Sequence, residues 1–236
     1  MTTNHQVVSQ DEWIAARQKH LAREKEFTHL RDQLSAERRA LPWVKVEKSY
    51  SFETPSGKAS LADLFGGRSQ LVIYHFMLGP DWNEGCKSCS FWADNLQGID
   101  VHLAARDVTL MTVSSAPLDR ITKFKTRMGW THTWVSSAGS DFNHDFQVSF
   151  SPEELKHEIY YNYRWTKVGS TEQPGISVFY KDADGTIYHT YSCYSRGLDM
   201  MNGAYQYLDL VPKGRDEDPN AGHKMSWVRL HDSYGG

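Results

Sequence analysis

Cysteine is scarce in this chain, with three residues in 236, at positions 86, 89 and 193. Three thiols cannot fill a tetrahedral zinc site, so histidines would have to complete one. Net charge is scarce too: 26 basic against 29 acidic residues give only −3. That leaves no electrostatic footprint for nucleic acid or an acidic membrane surface. Long apolar runs are missing as well, since no window reaches the roughly 18 residues of a membrane span. The start, Met1-Thr-Thr-Asn-His-Gln-Val-Val8, has neither a basic nor an apolar signal region. The expectation is a cytoplasmic protein that binds neither nucleic acid nor membrane. With 39% hydrophobic and 13% aromatic residues it can bury one sizeable core without disulfides.

Against that background the spacing of two of the three cysteines is the strongest signal. Cys86-Lys87-Ser88-Cys89 follows the apolar run Leu71–Leu78 and a Gly79-Pro80 break. The first turn of a helix offers unpaired N–H groups and a positive dipole end, which favour thiolate over thiol. A thiol one turn further in can attack a mixed disulfide formed by the first. The expectation is that Cys86 attacks and Cys89 resolves. Trp82, Phe91 and Trp92 give the pair an aromatic surround, with Trp82 a candidate substrate contact. Two buried, inert thiols would have the same spacing, and in a reducing compartment such a pair serves catalysis, redox sensing or metal binding rather than a permanent staple.

From Asp11 to Ala40, Trp13, Leu21, Phe27, Leu30 and Leu34 fall at roughly helical spacings. Ser9 and Glu12 form a capping box, and Pro42 stops this arm of one bent or two short helices. Its narrow apolar stripe calls for packing on the main domain or on a second copy in a homodimer. A strand through Val44–Phe52 follows, then a turn at Thr54–Gly57 and a short helix over Ser60–Phe65. A central strand spans Gln70–Phe76, a helix starts near Cys86, a strand spans Val108–Val113 and a helix Leu118–Met128. This β, α, β, α, β, α order predicts an α/β domain with a largely parallel sheet. Residues 131–171 read as an insertion covering one edge. Ile176–Tyr180 and Thr186–Tyr191 form a β-hairpin about Asp182–Gly185, Gly197–Leu208 a closing helix, and the end from Trp227 docks back. The boundaries are an arm at 1–42, a main domain at 43–212 and a tail at 213–236.

The order of strand, CxxC, βα unit and proline-led hairpin resembles the thioredoxin-like superfamily. Tyr50-Ser-Phe52 and Gly57–Phe65 resemble the opening of the alkyl hydroperoxide reductase and thiol-specific antioxidant branch. Tyr74-His-Phe-Met77, Arg127-Met-Gly-Trp130, Asp141-Phe-Asn143, His189-Thr-Tyr-Ser192, Arg196-Gly-Leu-Asp199 and Leu208–Pro212 are similar to domain-of-unknown-function family 899, identified as predicted dithiol–disulfide oxidoreductases. The resemblance implies a thioredoxin-like α/β fold with a central mixed sheet flanked by helices. It implies Cys86 and Cys89 as the redox pair, with no cofactor. It also implies a cis Pro174 facing the pair, where the backbone of Gln173 would pair with a substrate strand. The substrate would be a protein or small-molecule disulfide, or a peroxide, with an unidentified electron donor. Two departures stand out. Gly85 replaces the tryptophan that precedes the first cysteine in thioredoxins, and the peroxiredoxin hydroxyl three places before the cysteine is Asn83, with Pro80 six places before.

Two other readings stay open. His75 or His189 could join the cysteines around copper or zinc, with His132, His144 or His157 as further ligands or a general acid. The chain could also be a redox-inert interaction module. Cys193 reads as a half-buried small hydrophobe.

Overall fold

The computed structural model describes residues 5–235. The chain divides into two compact units, Met1–Pro42 and Trp43–Gly236. The first unit holds one uninterrupted helix, α1 (Gln10–Arg39). It begins at the predicted box: the Ser9 hydroxyl accepts from the Glu12 N–H at 3.3 Å, and the Glu12 carboxylate accepts from the Ser9 N–H at 2.9 Å. Asp11 and Glu12 in the first turn and Arg38 and Arg39 in the last oppose the helix dipole. No helix among the described residues is long and apolar enough to cross a membrane.

The second unit is built on strands β1 (Val44–Lys45), β2 (Ser51–Thr54), β3 (Gly57–Ser60), β4 (Gln70–His75), β5 (Val108–Ser114), β6 (Trp134–Ser136), β7 (Ile159–Tyr161), β8 (Arg164–Thr166), β9 (Gly175–Lys181) and β10 (Ile187–Tyr194). Its helices are α2 (Lys87–Ala93), α3 (Asp100–Ala104), α4 (Leu118–Arg127), α5 (Phe142–Asp145) and α6 (Gly203–Leu208). Eight strands form one sheet in the order β1-β10-β9-β4-β5-β6-β2-β3, and β7 pairs with β8 in a separate ribbon. Only β4–β5 and β5–β6 are parallel. The sheet is therefore mixed, as the thioredoxin-like resemblance implies, and not largely parallel as the element order alone suggests.

The run Leu71-Val-Ile-Tyr-His-Phe76 is apolar on both parities because β4 is buried on both faces. Its even positions, Tyr74 and Phe76, pack with Cys89, Trp92, Phe124, Trp134, Ile176 and Cys193. Its odd positions, Leu71 and Ile73, pack on the other face with Phe52, Phe65, Phe142 and Phe179. This division decides which side chains can meet the thiols.

Several predicted elements change. Ser60–Phe65 is not a helix: Ser60 ends β3, which pairs with β2, and only Asp63–Phe65 makes a 3₁₀ turn. Within the stretch read as an insertion, Trp134–Ser136 is β6, paired with Thr112–Ser114 in the main sheet. The closing helix breaks at Asn202 into a 3₁₀ turn (Ser195–Met201) and α6. Pro174 is trans, since no described peptide bond is cis. The segment before it is already drawn out by pairing. Phe150 N–H donates to the Thr171 carbonyl and Gln173 N–H to the Val148 carbonyl, both at 2.8 Å, so the chain runs extended into β9.

Candidate active site

The site starts where β4 ends. Phe76 N–H donates to the Val113 carbonyl at 2.9 Å and so prolongs the ladder, then Cys86 N–H returns to the Met77 carbonyl at 3.0 Å. Between these two bonds the loop must pass close to the core. A methyl group on Gly85 would lie 2.5 Å from a Phe124 ring carbon and 2.6 Å from one of Phe76. Both rings are buried, so only glycine fits, which explains why no bulky residue precedes Cys86. Cys86 then caps α2: its carbonyl accepts from Ser90 N–H at 2.9 Å and from the Ser90 hydroxyl at 3.0 Å.

The two thiols differ in environment. Cys86 is half-buried and Cys89 is 2% exposed. The Cys89 thiol hydrogen-bonds the Cys86 sulfur, and the backbone N–H groups of Cys89 and Ser88 add to it. Together they outweigh desolvation and lower Cys86 from 9.0 to about 6. Cys89 moves the opposite way. Burial raises it well above its ordinary value, and its bond to Cys86 and the charge there raise it further. At neutral pH the pair therefore holds one proton, on Cys89.

The pair lines a cleft of about 580 Å³. Tyr74, Met77, Trp92 and Leu198 make its apolar floor, and the Tyr74 hydroxyl donates to the Cys89 carbonyl at 3.2 Å. Gln173 and Pro174 line the same cleft, so the fold brings them together with Cys86 and Cys89. Trp82 does not line it. Its indole lies over Gly79, its backbone N–H donates to the Gly79 carbonyl at 3.1 Å, and its own carbonyl accepts from Arg120 at 3.0 Å. Asn83 is exposed and outside the cleft. Lys87 is exposed and reaches the Ser226 carbonyl at 3.4 Å.

Other walls come from residues that the sequence reading did not single out. Tyr161 on β7 is buried, donates to the Pro174 carbonyl at 2.8 Å and takes the Ser195 N–H. The β7–β8 ribbon is tied to β10 by the Tyr163 hydroxyl on the Ser192 carbonyl, 2.9 Å. The aromatic run Tyr160–Trp165 is the signal in the sequence, although of its aromatic residues only Tyr161 is buried. The tail contributes Gly222–Met225, with Met225 and Trp227 packed on the core around Cys86 and Asp232 paired to Arg127 at 2.8 Å. Nothing local in the tail sequence marks it as a wall.

A profile of the family described as "Bacterial protein of unknown function (DUF899)" matches residues 2–234. The chain belongs to that family. No curated protein matches it. Among solved structures, this DUF899 chain is similar to peroxidoxin BcpB from Mycobacterium tuberculosis, at 12% identity and a TM-score of 0.46, over 71% of this chain and 97% of that one. It is similar to PrxQ from Xylella fastidiosa, at 12% identity and a TM-score of 0.42, over 67% and 89%. A thiol:disulfide interchange protein from Bacteroides sp. shares 18% identity at a TM-score of 0.41, over 74% and 95%.

Of the histidines in this DUF899 protein, His223 lines the cleft with the rest of the tail, and those weighed as metal ligands lie elsewhere. His75 and His189 belong to the opposite face of the sheet, among Phe142, Phe146 and Phe179. They end a buried chain, His75 Nε2···Ser177 Oγ (2.9 Å)···Ser192 Oγ (2.9 Å)···His189 Nε2 (2.7 Å). Desolvation lowers His75 to about 3, so it is neutral. The copper or zinc set of the alternative reading is thus not assembled, and among the described residues no group of three or more His, Cys, Asp or Glu could hold a metal. His132 is buried between Trp130 and Trp134, His144 bonds Glu154 at 2.9 Å and His157 is exposed; none lines the cleft. Cys193 is buried at 8% exposure on the same face as Cys89, with its Cβ against Gly197. One further group is notable: Glu172, 3% exposed, accepts from the Ser115 and Ser149 hydroxyls at 2.8 and 2.7 Å, and burial raises its carboxyl to about 7.

Proposed function

We propose that the protein is a dithiol–disulfide oxidoreductase in which Cys86 attacks and Cys89 resolves. The observation that carries this reading is the opposed acidity of two thiols lining one cleft: Cys86 down to about 6 and Cys89 up. A thiolate is the attacking species in exchange, and its partner must stay protonated until needed. Cys86 sulfur attacks one sulfur of the substrate, the S–S bond breaks, and the leaving thiolate takes a proton. Cys89 then loses its proton, attacks the Cys86 sulfur and releases the second thiol. The substrate gains two electrons and two protons, and Cys86 and Cys89 become a disulfide. An external dithiol returns the protein to its reduced state.

A disulfide is favoured over a peroxide as substrate. Asn83, the residue at the position of the peroxide-binding hydroxyl, faces solvent outside the cleft. The test is thiol titration before and after dithiothreitol, with turnover of a disulfide and of hydrogen peroxide measured for wild type and Cys86→Ser. The expected result is two thiols lost on substrate addition and regained with dithiothreitol, only when Cys86 is present. Equal rates for the two proteins on both substrates would overturn it.

A further inference from the structure

The cleft differs in two respects from a surface that receives a protein strand. Strand addition needs an unpaired backbone edge beside the reactive sulfur. Here Gln173 N–H is already taken by the Val148 carbonyl at 2.8 Å, and Phe150 pairs with Thr171. The edge that would accept a peptide is filled by the chain's own 148–150 segment. Tyr161, Ser195 and the tail Gly222–Met225 also line the cleft, and its volume of about 580 Å³ suits a small molecule.

Of the charged residues that line the cleft, Arg196, Arg215 and Lys224 are basic and Asp199 and Glu217 acidic. Two carboxylates line the cleft, and both are engaged. Asp199 pairs with Arg196 at 2.7 Å and Arg215 at 3.0 Å, and Glu217 accepts from the Tyr205 hydroxyl at 2.7 Å. Arg215 is itself held by Asp199 and Asp209 and stacked 3.8 Å over the Tyr205 ring. Two cations keep donors for a ligand. Arg196 shares its one ion-pair partner with Arg215 and has a 71% exposed side chain, and Lys224 is exposed with no ion pair among the described residues. Lys224 is held near the thiols because Met225 packs on their cluster and Ser226 accepts from Lys87.

We propose that the substrate is a low-molecular-weight disulfide bearing a carboxylate, which Arg196 and Lys224 hold while Cys86 attacks its sulfur. This rests on the thiol-exchange reading above. Atoms balance as in that cycle: one S–S bond of the small molecule breaks, two small thiols leave, one S–S bond forms in the protein, and an external dithiol regenerates it.

The test uses the full chain, reduced with dithiothreitol and desalted, then mixed at low salt with excess glutathione disulfide (anionic), 2-hydroxyethyl disulfide (neutral), cystamine (cationic) or insulin. Loss of protein thiols is followed by maleimide quenching and mass spectrometry. Each rate is divided by that disulfide's rate with 2-mercaptoethanol, which removes intrinsic reactivity. The expected order is glutathione disulfide, 2-hydroxyethyl disulfide, cystamine, with about tenfold between first and last, narrowing as salt rises, and insulin slower per disulfide than glutathione disulfide. In Arg196→Ala/Lys224→Ala the anionic-to-cationic ratio should fall toward one. Cys86-dependent exchange with cystamine equal to or faster than glutathione disulfide, or with insulin fastest, overturns the proposal and leaves the exchange reading standing. No exchange above the Cys86→Ser level with any of the four overturns both.

Discussion

The acidity of Cys86 can be tested through its neighbour. Cys86 lies about three pK units below its ordinary 9.0, or about 4 kcal/mol in favour of the thiolate. The largest single cause is the hydrogen bond from the Cys89 thiol, with the Cys89 and Ser88 N–H groups supplying more. A hydrogen bond to a charged group is worth about 1.5–3 kcal/mol. Cys89→Ala should therefore raise the Cys86 midpoint by about 1–2 units, to roughly 7–8. Cys89→Ser keeps an O–H donor in place and should hold the midpoint within about one unit of wild type.

The assay is the rate of iodoacetamide labelling of Cys86 between pH 4 and 10, with labelled peptides separated by mass spectrometry. Thiolate accumulates above the midpoint, so wild type should reach half its maximal rate near pH 6. At that pH Cys89→Ala should label about tenfold more slowly than wild type, and above pH 9 the two should converge. In wild type Cys89 should label far more slowly than Cys86 throughout. A Cys89→Ala midpoint still near 6 would refute the argument and shift the whole effect onto the backbone donors. Faster labelling of Cys89 would reverse the proposed roles.

Three further outcomes follow from the packing. Gly85→Ala should cost about 1–3 kcal/mol in denaturant unfolding, because the added carbon meets the buried rings of Phe76 and Phe124, and wild-type stability in that variant would contradict it. Burial raises Glu172 from 4.5 to about 7, so the unfolded chain ionises first as pH rises through that window and wild-type stability falls by up to about 3 kcal/mol. Glu172→Gln lacks this loss, and a wild-type-to-variant stability difference identical at pH 4.5 and pH 8 would remove the explanation. His75 behaves oppositely: lowered from 6.5 to about 3 by burial, it stays neutral while the unfolded chain takes up a proton below pH 6.5. Stability should drop by about 2–3 kcal/mol between pH 6.5 and 4.5 and should drop less in His75→Gln.

The parts of the fold that were legible are those in which local chemistry and tertiary role agree. Leu71–Phe76 reads as a central strand because burial on both faces demands apolar residues at every position, and the Ser9–Glu12 box closes entirely within one turn. The placement of Cys86 and Cys89 at a helix start was legible for the same reason, since the strand, the Gly79-Pro80 break and the helix follow one another in sequence. Ser60–Phe65 misled because its composition suits a helix, whereas the pairing of Gly57–Ser60 with β2 takes Ser60 into a strand and leaves only a 3₁₀ turn at Asp63–Phe65. The face occupied by His75 depends on parity within β4: Tyr74, one residue earlier, lies on the thiol side, and the sequence alone does not say which side the CxxC helix covers. Tyr161, Arg196 and Lys224 come from three distant segments and meet only in the cleft. The pairing of Val148–Phe150 with Thr171–Gln173 has the widest effect. It draws the chain out ahead of a trans Pro174 and occupies the N–H that a substrate strand would need. One long-range contact, silent in either segment read alone, thus sets both the backbone beside the thiols and what that backbone can offer a ligand.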